Sequence, residues 1–219
     1  MVPTGLSANG GAIAHDVYTN SIYDFSLKVP PGWVVVPPKP GSEVNLQGTD
    51  PELAKRAQTN RILLLMTENA PLKKTFQRRS IQITATRMLS PQTGSAHDYL
   101  IYSQKTAKEK QMAVEYAKAP QEVTIKGQKL WWNKMKMNTA GGPQVADQYV
   151  VMQGPYLLQF FFVSPDEEGL KSLQPSIQSL DIKPMPAEKA PTPTKAPASP
   201  VRKKKPVPAP APSATKPTQ

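Results

Sequence analysis

The chain of 219 residues contains no cysteine and only two histidines. The absence of cysteine excludes disulfides, thiolate metal sites, a cysteine nucleophile and a lipid-modified N-terminal cysteine. Two histidines cannot supply a three-histidine zinc centre. A mixed site of histidine and carboxylate stays open at His15-Asp16 or His97-Asp98, but helix capping explains the second pair. We therefore predict no cofactor and no metal site.

Long hydrophobic runs are also absent. The longest apolar stretches, residues 62–66 and 160–163, are far shorter than the roughly 20 residues that a membrane-spanning helix requires. Residues 1–16 have neither a basic segment nor an apolar run, which predicts that this chain carries no intact secretory signal. An exported protein whose signal has been removed and a cytoplasmic protein both fit these residues.

The last 36 residues contain eleven of the 25 prolines and no aromatic residue. Such a composition cannot bury enough apolar surface to offset the entropy of ordering the chain. We therefore predict three segments: a flexible N-terminus over residues 1–16, one folded domain over 17–183, and a disordered basic tail rich in proline and alanine over 184–219.

Positive charge dominates the whole chain, at a formal net charge of +11, and it is densest in the tail. The tail holds an uninterrupted basic run, which is Arg202, Lys203, Lys204 and Lys205. Such a run attracts anionic lipid, anionic polymer or nucleic acid in a salt-sensitive way, so it is a candidate site for binding an anion or a partner. A second basic cluster, at Lys73, Lys74, Arg78 and Arg79, is interpreted as a solvated loop in preference to an anion site.

Strand patterns dominate the predicted domain. Over residues 23–29, aromatic and aliphatic residues alternate with polar ones, so one face of a strand is apolar and the other is solvated. Pro30-Pro31-Gly32 ends this strand and directs Trp33 back towards the core. Further strands are predicted over residues 61–67, 80–88, 121–125, 129–137, 145–152 and 156–163. Glycine-containing turns separate the last three, which is typical of an antiparallel meander.

Two helix starts are also present. Ser95 precedes Asp98 in a Ser-x-x-Asp pattern, which predicts a helix over residues 96–118. A second helix is predicted after Ser164, with Ser164 as its cap and Pro165 at its first position, and Pro175 either kinks it or begins a second short turn. The order of strands and helices predicts an α+β domain with a single twisted antiparallel β-sheet and flanking helices.

Motifs at both ends of the domain carry a resemblance to a known family. They are Tyr18-Thr19-Asn20, Tyr23-Asp24-Phe25, Pro31-Gly32-Trp33, Gly127, Gln148-Tyr149, Phe160-Phe161-Phe162 and the segment 166–180. Together, over residues 17–183, they resemble the PsbP-like fold. That fold is shared by the extrinsic photosystem II subunit, a Ran-binding nuclear import factor and many small bacterial extracytoplasmic proteins. The resemblance implies a binding or assembly scaffold without catalysis, exported in bacteria.

Motifs for catalysis are missing from the chain. It contains no Gly-x-Ser-x-Gly elbow and no phosphate-binding loop ending in Gly-Lys-Ser/Thr. The carboxylates of residues 166–168 are explained by the positive end of a helix dipole. An enzyme would need a site assembled from scattered polar residues such as Asp147, Tyr149 and His97, and this is the alternative hypothesis.

One candidate ligand surface lies on the strand predicted over residues 129–137. Trp131 and Trp132 point to opposite faces of that strand. An exposed Trp132 beside Lys134 and Lys136 would form a ligand surface, whereas coverage of both faces would make the two tryptophans structural.

The sequence therefore predicts a non-enzymatic accessory or binding protein, in which a PsbP-like domain engages a protein or small ligand and the tail acts as a cationic tether. The predicted partners are an unidentified protein, or an anionic envelope polymer or lipid surface for the tail. Specific nucleic-acid binding is not predicted, because basic and aromatic residues do not interleave. The alternatives are the enzyme above and a charge-driven binder of nucleic acid or anionic polymer. The resemblance implies an extracytoplasmic location, with a cytoplasmic one as the alternative.

Overall fold

A computed structural model of the protein describes residues 10–36, 60–69, 78–88 and 95–184. This part of the chain forms twelve strands and three helices. The strands are β1 (Gly11–Ala14), β2 (Val17–Asn20), β3 (Phe25–Lys28), β4 (Trp33–Val35), β5 (Asn60–Glu68), β6 (Ser80–Arg87), β7 (Val114–Tyr116), β8 (Gln121–Ile125), β9 (Gln128–Thr139), β10 (Gly142–Gln153), β11 (Tyr156–Ser164) and β12 (Asp181–Ile182). The helices are α1 (Ala96–Glu109), α2 (Glu167–Lys171) and α3 (Gln174–Ser179).

The strands form two antiparallel sheets, so the α+β class is confirmed and the prediction of a single sheet is wrong. The small sheet has the order β1-β2-β3-β12, and the large sheet has the order β4-β5-β6-β11-β10-β9-β7, with β8 also paired to β9. The division occurs at Pro30-Pro31-Gly32, where Gly32 takes a φ of 76°. This turn reverses the chain, so that Trp33 pairs with Glu68 of the large sheet instead of continuing β3.

The main hydrophobic core lies between the two sheets. The alternation predicted over residues 23–29 is confirmed, because every second residue from Tyr23 to Val29 is buried in this core. Phe25 of the small sheet contacts Phe160 of the large sheet edge to face, at 5.2 Å between ring centroids. Apolar residues of α2 and α3 belong to the same core, so these two helices close one end of it.

Buried hydrogen bonds also join the two sheets. The Tyr18 hydroxyl donates to the Leu63 carbonyl oxygen at 3.0 Å. Gln153 Nε2 donates to the carbonyl oxygens of Tyr23, at 3.2 Å, and Lys183, at 2.5 Å. The bonds to Leu63 and Tyr23 are buried, so each satisfies polar atoms that water does not reach.

Strand pairing begins at β1, inside the segment that was predicted to be a flexible N-terminus. Ile13 is buried in the core, and His15 and Asp16 take positive φ angles in a two-residue turn that pairs β1 with β2. The burial of Ile13 anchors this hairpin on the core, and a single apolar residue is too short a signal to predict a strand from the sequence. The tail from residue 185 onwards and Lys73 and Lys74 lie outside the described residues.

Helix α1 is shorter than predicted. Ser95 caps it as expected, because its Oγ accepts the Asp98 amide. The helix ends at Glu109 instead of residue 118, and Gln111 follows with a φ of 49°. Residues 114–116 then form β7, which pairs with the outer edge of β9. Long-range pairing with an open strand edge outweighs the weak helical periodicity of this segment.

The second helical region is divided in two. Asp166, not Ser164, caps α2, because its Oδ1 accepts the Gly169 amide at 2.7 Å. Ser164 is the last residue of β11, and its Oγ occupies the space that a Cβ on Gly169 would need. Pro175 lies in the first turn of α3, which confirms the prediction of a second short turn. Among the helices of the described ranges, none has the length and apolarity needed to cross a membrane.

Candidate functional site

The side chains of Trp132, Lys134 and Lys136 project from the same side of β9, as their spacing of two requires. Trp132 is half-buried, packs against the core between the sheets, and donates from Nε1 to Asp147 Oδ1 at 3.0 Å. Trp131 packs under α1 on the opposite face, where its ring centroid lies 4.3 Å from that of His97. Both faces of the strand are therefore covered at the tryptophan pair.

Next along this side of β9 lies a polar cluster around a buried carboxyl group. Asp147 is only 5% exposed and is the cross-strand neighbour of Lys134. Lys134 bonds to Glu167 at the start of α2, at 2.5 Å. Burial raises the pKa of Asp147, while the Trp132 hydrogen bond and the charge of Lys134 partly oppose the rise. The buried environment of Asp147 thus disfavours the ionised form of its carboxyl group.

The raised pKa of Asp147 predicts a pH-dependent effect of Asp147→Asn. A carboxyl group whose pKa is raised on folding stabilises the native state most when it is protonated, and this contribution is lost as the pH rises through the native pKa. We expect the free energy of unfolding of Asp147→Asn, measured with urea, to exceed that of the natural protein at pH 7. This gain in the free energy of unfolding should shrink as the pH falls towards 3.8, the ordinary pKa of an aspartate side chain. A difference that does not vary with pH contradicts this prediction.

The residues of the enzyme hypothesis lie on two sides of the large sheet. Tyr149 projects to the same face as Asp147, and burial raises its pKa, so it is protonated at neutral pH. His97 belongs to α1, which packs on the other face through Trp131. The sheet therefore separates His97 from Asp147 and Tyr149. In the ranges that the structure describes, no group of three or more His, Cys, Asp or Glu side chains is placed to hold a metal ion.

A cleft of about 370 Å³ opens where β7, β9 and β10 meet. Its lining includes Met112, Glu115, Lys136, Val145 and Pro165. Met112 is 53% exposed, and Lys136 is exposed in the same cleft. Among the described residues, the cleft thus combines the cation of Lys136 and the carboxylate of Glu115 with apolar surface in a single concavity.

Sequence reasoning identified Lys136 but missed the rest of the cleft. Met112 and Glu115 were assigned to the predicted helix, which would have placed them away from β9. The missed signal was Val114-Glu115-Tyr116, a short run with strand-forming residues on either side of a charge.

In the basic cluster predicted to be a solvated loop, the Arg79 side chain makes defined polar contacts. Its guanidinium group bonds to Glu68, with 2.7 Å between Nη2 and Oε2, and donates to Ser172 Oγ at 2.6 Å. The Arg79 guanidinium group thus links Glu68 of β5 to Ser172, the residue that follows α2. Arg202, Lys203, Lys204 and Lys205 lie outside the described residues.

No protein-family model and no curated protein sequence matches the chain. Solved structures with a similar fold include the cyanobacterial PsbP (CyanoP) of Synechocystis sp. PCC 6803, at 13% identity and a TM-score of 0.49, over 82% of this chain and 96% of that one. They also include LpqN of Mycobacterium tuberculosis, involved in cell envelope biogenesis, at 12% identity and a TM-score of 0.45, over 73% and 83% of the two chains. The Ran-binding protein Mog1p of Saccharomyces cerevisiae is 9% identical, with a TM-score of 0.41, over 78% and 96%. These neighbours fit a PsbP-like fold, and the likeness concerns the fold alone.

Proposed function

We propose that this protein is a non-enzymatic accessory protein that binds a protein partner or small ligand at the cleft beside β7. The main support for this proposal is the cleft itself, which has a volume of about 370 Å³ and brings the exposed Lys136 and Met112 together with Glu115. Such a mixed lining suits recognition, in which a few polar groups orient a partner and apolar contacts supply affinity.

The environment of the neighbouring polar residues supports binding over catalysis. Trp132 and Lys134 are engaged by Asp147 and Glu167 within the fold. The histidine of the enzyme hypothesis, His97, lies on the opposite face of the sheet and packs against Trp131, with the two ring planes inclined by 49°. General acid–base chemistry needs its groups within hydrogen-bond reach of one substrate. Because the sheet lies between His97 and Asp147, one substrate could not contact both side chains.

The tail has a separate role in the proposal. Its cations Arg202, Lys203, Lys204 and Lys205 would act as an electrostatic tether that holds the domain near an anionic polymer or lipid surface. A chain of 36 residues rich in proline reaches on the order of 100 Å at about 3.1 Å per residue. We further propose an extracytoplasmic location, which fractionation of the native cells tests directly.

Three charge variants of the full-length protein distinguish the contribution of the cleft to partner binding from that of the tail. In pull-downs from native extract we expect Lys136→Glu to weaken capture of a specific partner about tenfold at both low and high salt, because it reverses the charge of Lys136 inside the cleft. Replacing the four tail cations by glutamine should weaken capture only at low salt, since exposed charges are screened by salt.

The matched control is Lys28→Glu, which makes the same charge change at an exposed position of the small sheet. Partner capture by Lys28→Glu should equal that of the natural protein. Equal losses in Lys136→Glu and Lys28→Glu would show that net charge, not the cleft, determines binding, and would overturn the proposal.

A further inference from the structure

The large sheet ends at β7, whose outer edge is unpaired in the part of the chain that the structure describes. On its inner side β7 pairs with β9. Glu115, in the centre of β7, and Ala113 and Ala117, on either side of the strand, are exposed. Because Ala113, Val114 and Glu115 also line the cleft, this edge forms one side of the proposed binding site.

The backbone groups that face outwards follow from the pairing with β9. The Ala117 amide donates to the Lys134 carbonyl oxygen at 3.0 Å. Backbone groups alternate between the two sides of an antiparallel strand, so Glu115 also turns its N–H and C=O towards β9. Val114 and Tyr116 therefore turn their N–H and C=O towards the outer edge.

Three of these four outward groups have no hydrogen-bond partner among the described residues. The Val114 amide donates to the Met112 carbonyl oxygen at 2.7 Å, whereas no bond is formed by the Val114 carbonyl or by the amide and carbonyl of Tyr116. Such groups at a sheet edge are the ones with which a further strand pairs.

The charges beside the edge favour one kind of added strand. Glu115 and Lys136 are cross-strand neighbours, and neither makes an ion pair with another described residue. An added strand places a side chain on the outer side of Glu115. Opposite charges in such neighbouring positions stabilise a sheet and like charges destabilise it, so a basic residue is favoured there and an acidic one is disfavoured.

A second copy of this chain does not fit the edge. Antiparallel pairing of two β7 strands through Val114 and Tyr116 would put the Glu115 side chains of the two copies opposite each other, which is unfavourable. A short edge strand with a charged residue is a common protection against such self-association. The same charge makes the edge selective, since its backbone groups stay open to a strand with a basic residue.

We propose that β7 binds an extended peptide segment of a partner protein, which pairs antiparallel to β7 and places a lysine or arginine opposite Glu115. This inference rests on the proposed function, because the side chains of the segment contact the cleft. Backbone hydrogen bonds to Val114 and Tyr116 supply affinity, and the side chains on the cleft side supply specificity. Met112, which is 53% exposed, offers an adaptable apolar contact.

The probes are synthetic heptapeptides of alternating threonine and valine, with lysine or glutamate at the central position. NMR of the ¹⁵N-labelled full-length protein follows the backbone amide of Tyr116. We expect the lysine peptide to shift this signal saturably, to slow its hydrogen exchange, and to bind at least about tenfold more tightly than the glutamate peptide. No saturable shift with the lysine peptide, or equal affinities of the two peptides, overturns the proposal.

N-methylation of the peptide tests the backbone hydrogen bonds. In the antiparallel arrangement the residue opposite Glu115 turns its amide away from β7, whereas its two neighbours turn theirs towards β7. N-methylation of these two neighbours should therefore abolish binding, and N-methylation of the central lysine should not. Equal effects of the two modifications would contradict strand addition.

A charge exchange distinguishes the role of Glu115 from a loss of folding. Glu115→Lys should bind the glutamate peptide more tightly than the lysine peptide, which reverses the preference of the natural protein. The matched control is Glu122→Lys, at an exposed position of β8 on the same sheet edge, and it should keep the natural preference. An unchanged preference in Glu115→Lys overturns the proposal.

The tail of this chain is also basic, so it is tested as a competing occupant. Replacing its four clustered cations by glutamine should leave the affinity for the lysine peptide unchanged. Tighter peptide binding by that variant would assign the edge to the tail and overturn the proposal of a partner segment.

Pull-downs from native extract separate this inference from the proposed function. We expect Lys136→Glu and Glu115→Lys both to weaken capture of the partner. Capture weakened by Lys136→Glu alone would retain the cleft and overturn strand addition at β7. Capture weakened by neither variant would overturn both.

Discussion

Replacing Phe160 by alanine is expected to lower the free energy of unfolding by about 3–5 kcal/mol. Phe160 is completely buried and contacts Phe25 at 5.2 Å, with the two rings nearly perpendicular. The two residues belong to different sheets, so the truncation leaves a cavity at the junction of the sheets and also removes an aromatic pair. Urea denaturation followed by circular dichroism measures the loss.

The neighbouring Phe161 supplies a control of the same chemistry. It projects from the opposite face of β11 and is only partly buried, so Phe161→Ala removes the same atoms from a less enclosed place. We expect a clearly smaller loss for Phe161→Ala than for Phe160→Ala. Equal losses in the two variants would contradict a main core between the sheets.

The strands could be predicted because their signals are local. Alternation over residues 23–29 and 80–87 reports which side chains face a core, and the turns at Gly154 and Gly127 have positive φ angles that only a few residue types tolerate. The two-sheet arrangement is not local. After the Pro30-Pro31-Gly32 turn, Trp33 pairs with Glu68, which is 35 positions further along the chain, and no local pattern announces such a partner. The strand β12 adds a second distant pairing, with β3, and no periodicity can be read from its two residues.

The candidate site was harder to predict than the fold for a related reason. Lys136 was identified from its strand, but the cleft also needs Met112 and Glu115, which reach it only because β7 pairs with β9. The buried amide side chains on the neighbouring strands β9, β10 and β11 are likewise far apart in the sequence. Each one alone resembles an ordinary polar residue of a half-buried strand, and only the register brings them together.

Within the motif Tyr18-Thr19-Asn20, the Asn20 side chain makes hydrogen bonds to the turn that follows and to Tyr18. Asn20 is fully buried, and its Oδ1 accepts the backbone amides of Ile22 and Tyr23, each at 3.1 Å. Its Nδ2 donates to the Tyr18 hydroxyl at 3.1 Å, and that hydroxyl donates to Leu63 of the large sheet. One side chain therefore shapes the turn before β3 and supports a hydrogen bond between the sheets.

We expect Asn20→Ala to lower the free energy of unfolding by about 3 kcal/mol, from three lost hydrogen bonds of about 1 kcal/mol each. Thr19, the exposed neighbour in the same motif, provides the control, and Thr19→Ala should change stability by less than about 0.5 kcal/mol. Hydrogen exchange at the Tyr23 amide adds a local measurement, since its acceptor is the Asn20 side chain. Faster exchange at this amide together with the large loss of stability would assign the role of Asn20 to the turn that joins β2 to β3. Similar losses for Asn20→Ala and Thr19→Ala would contradict it, because strand propensity alone would then explain the motif.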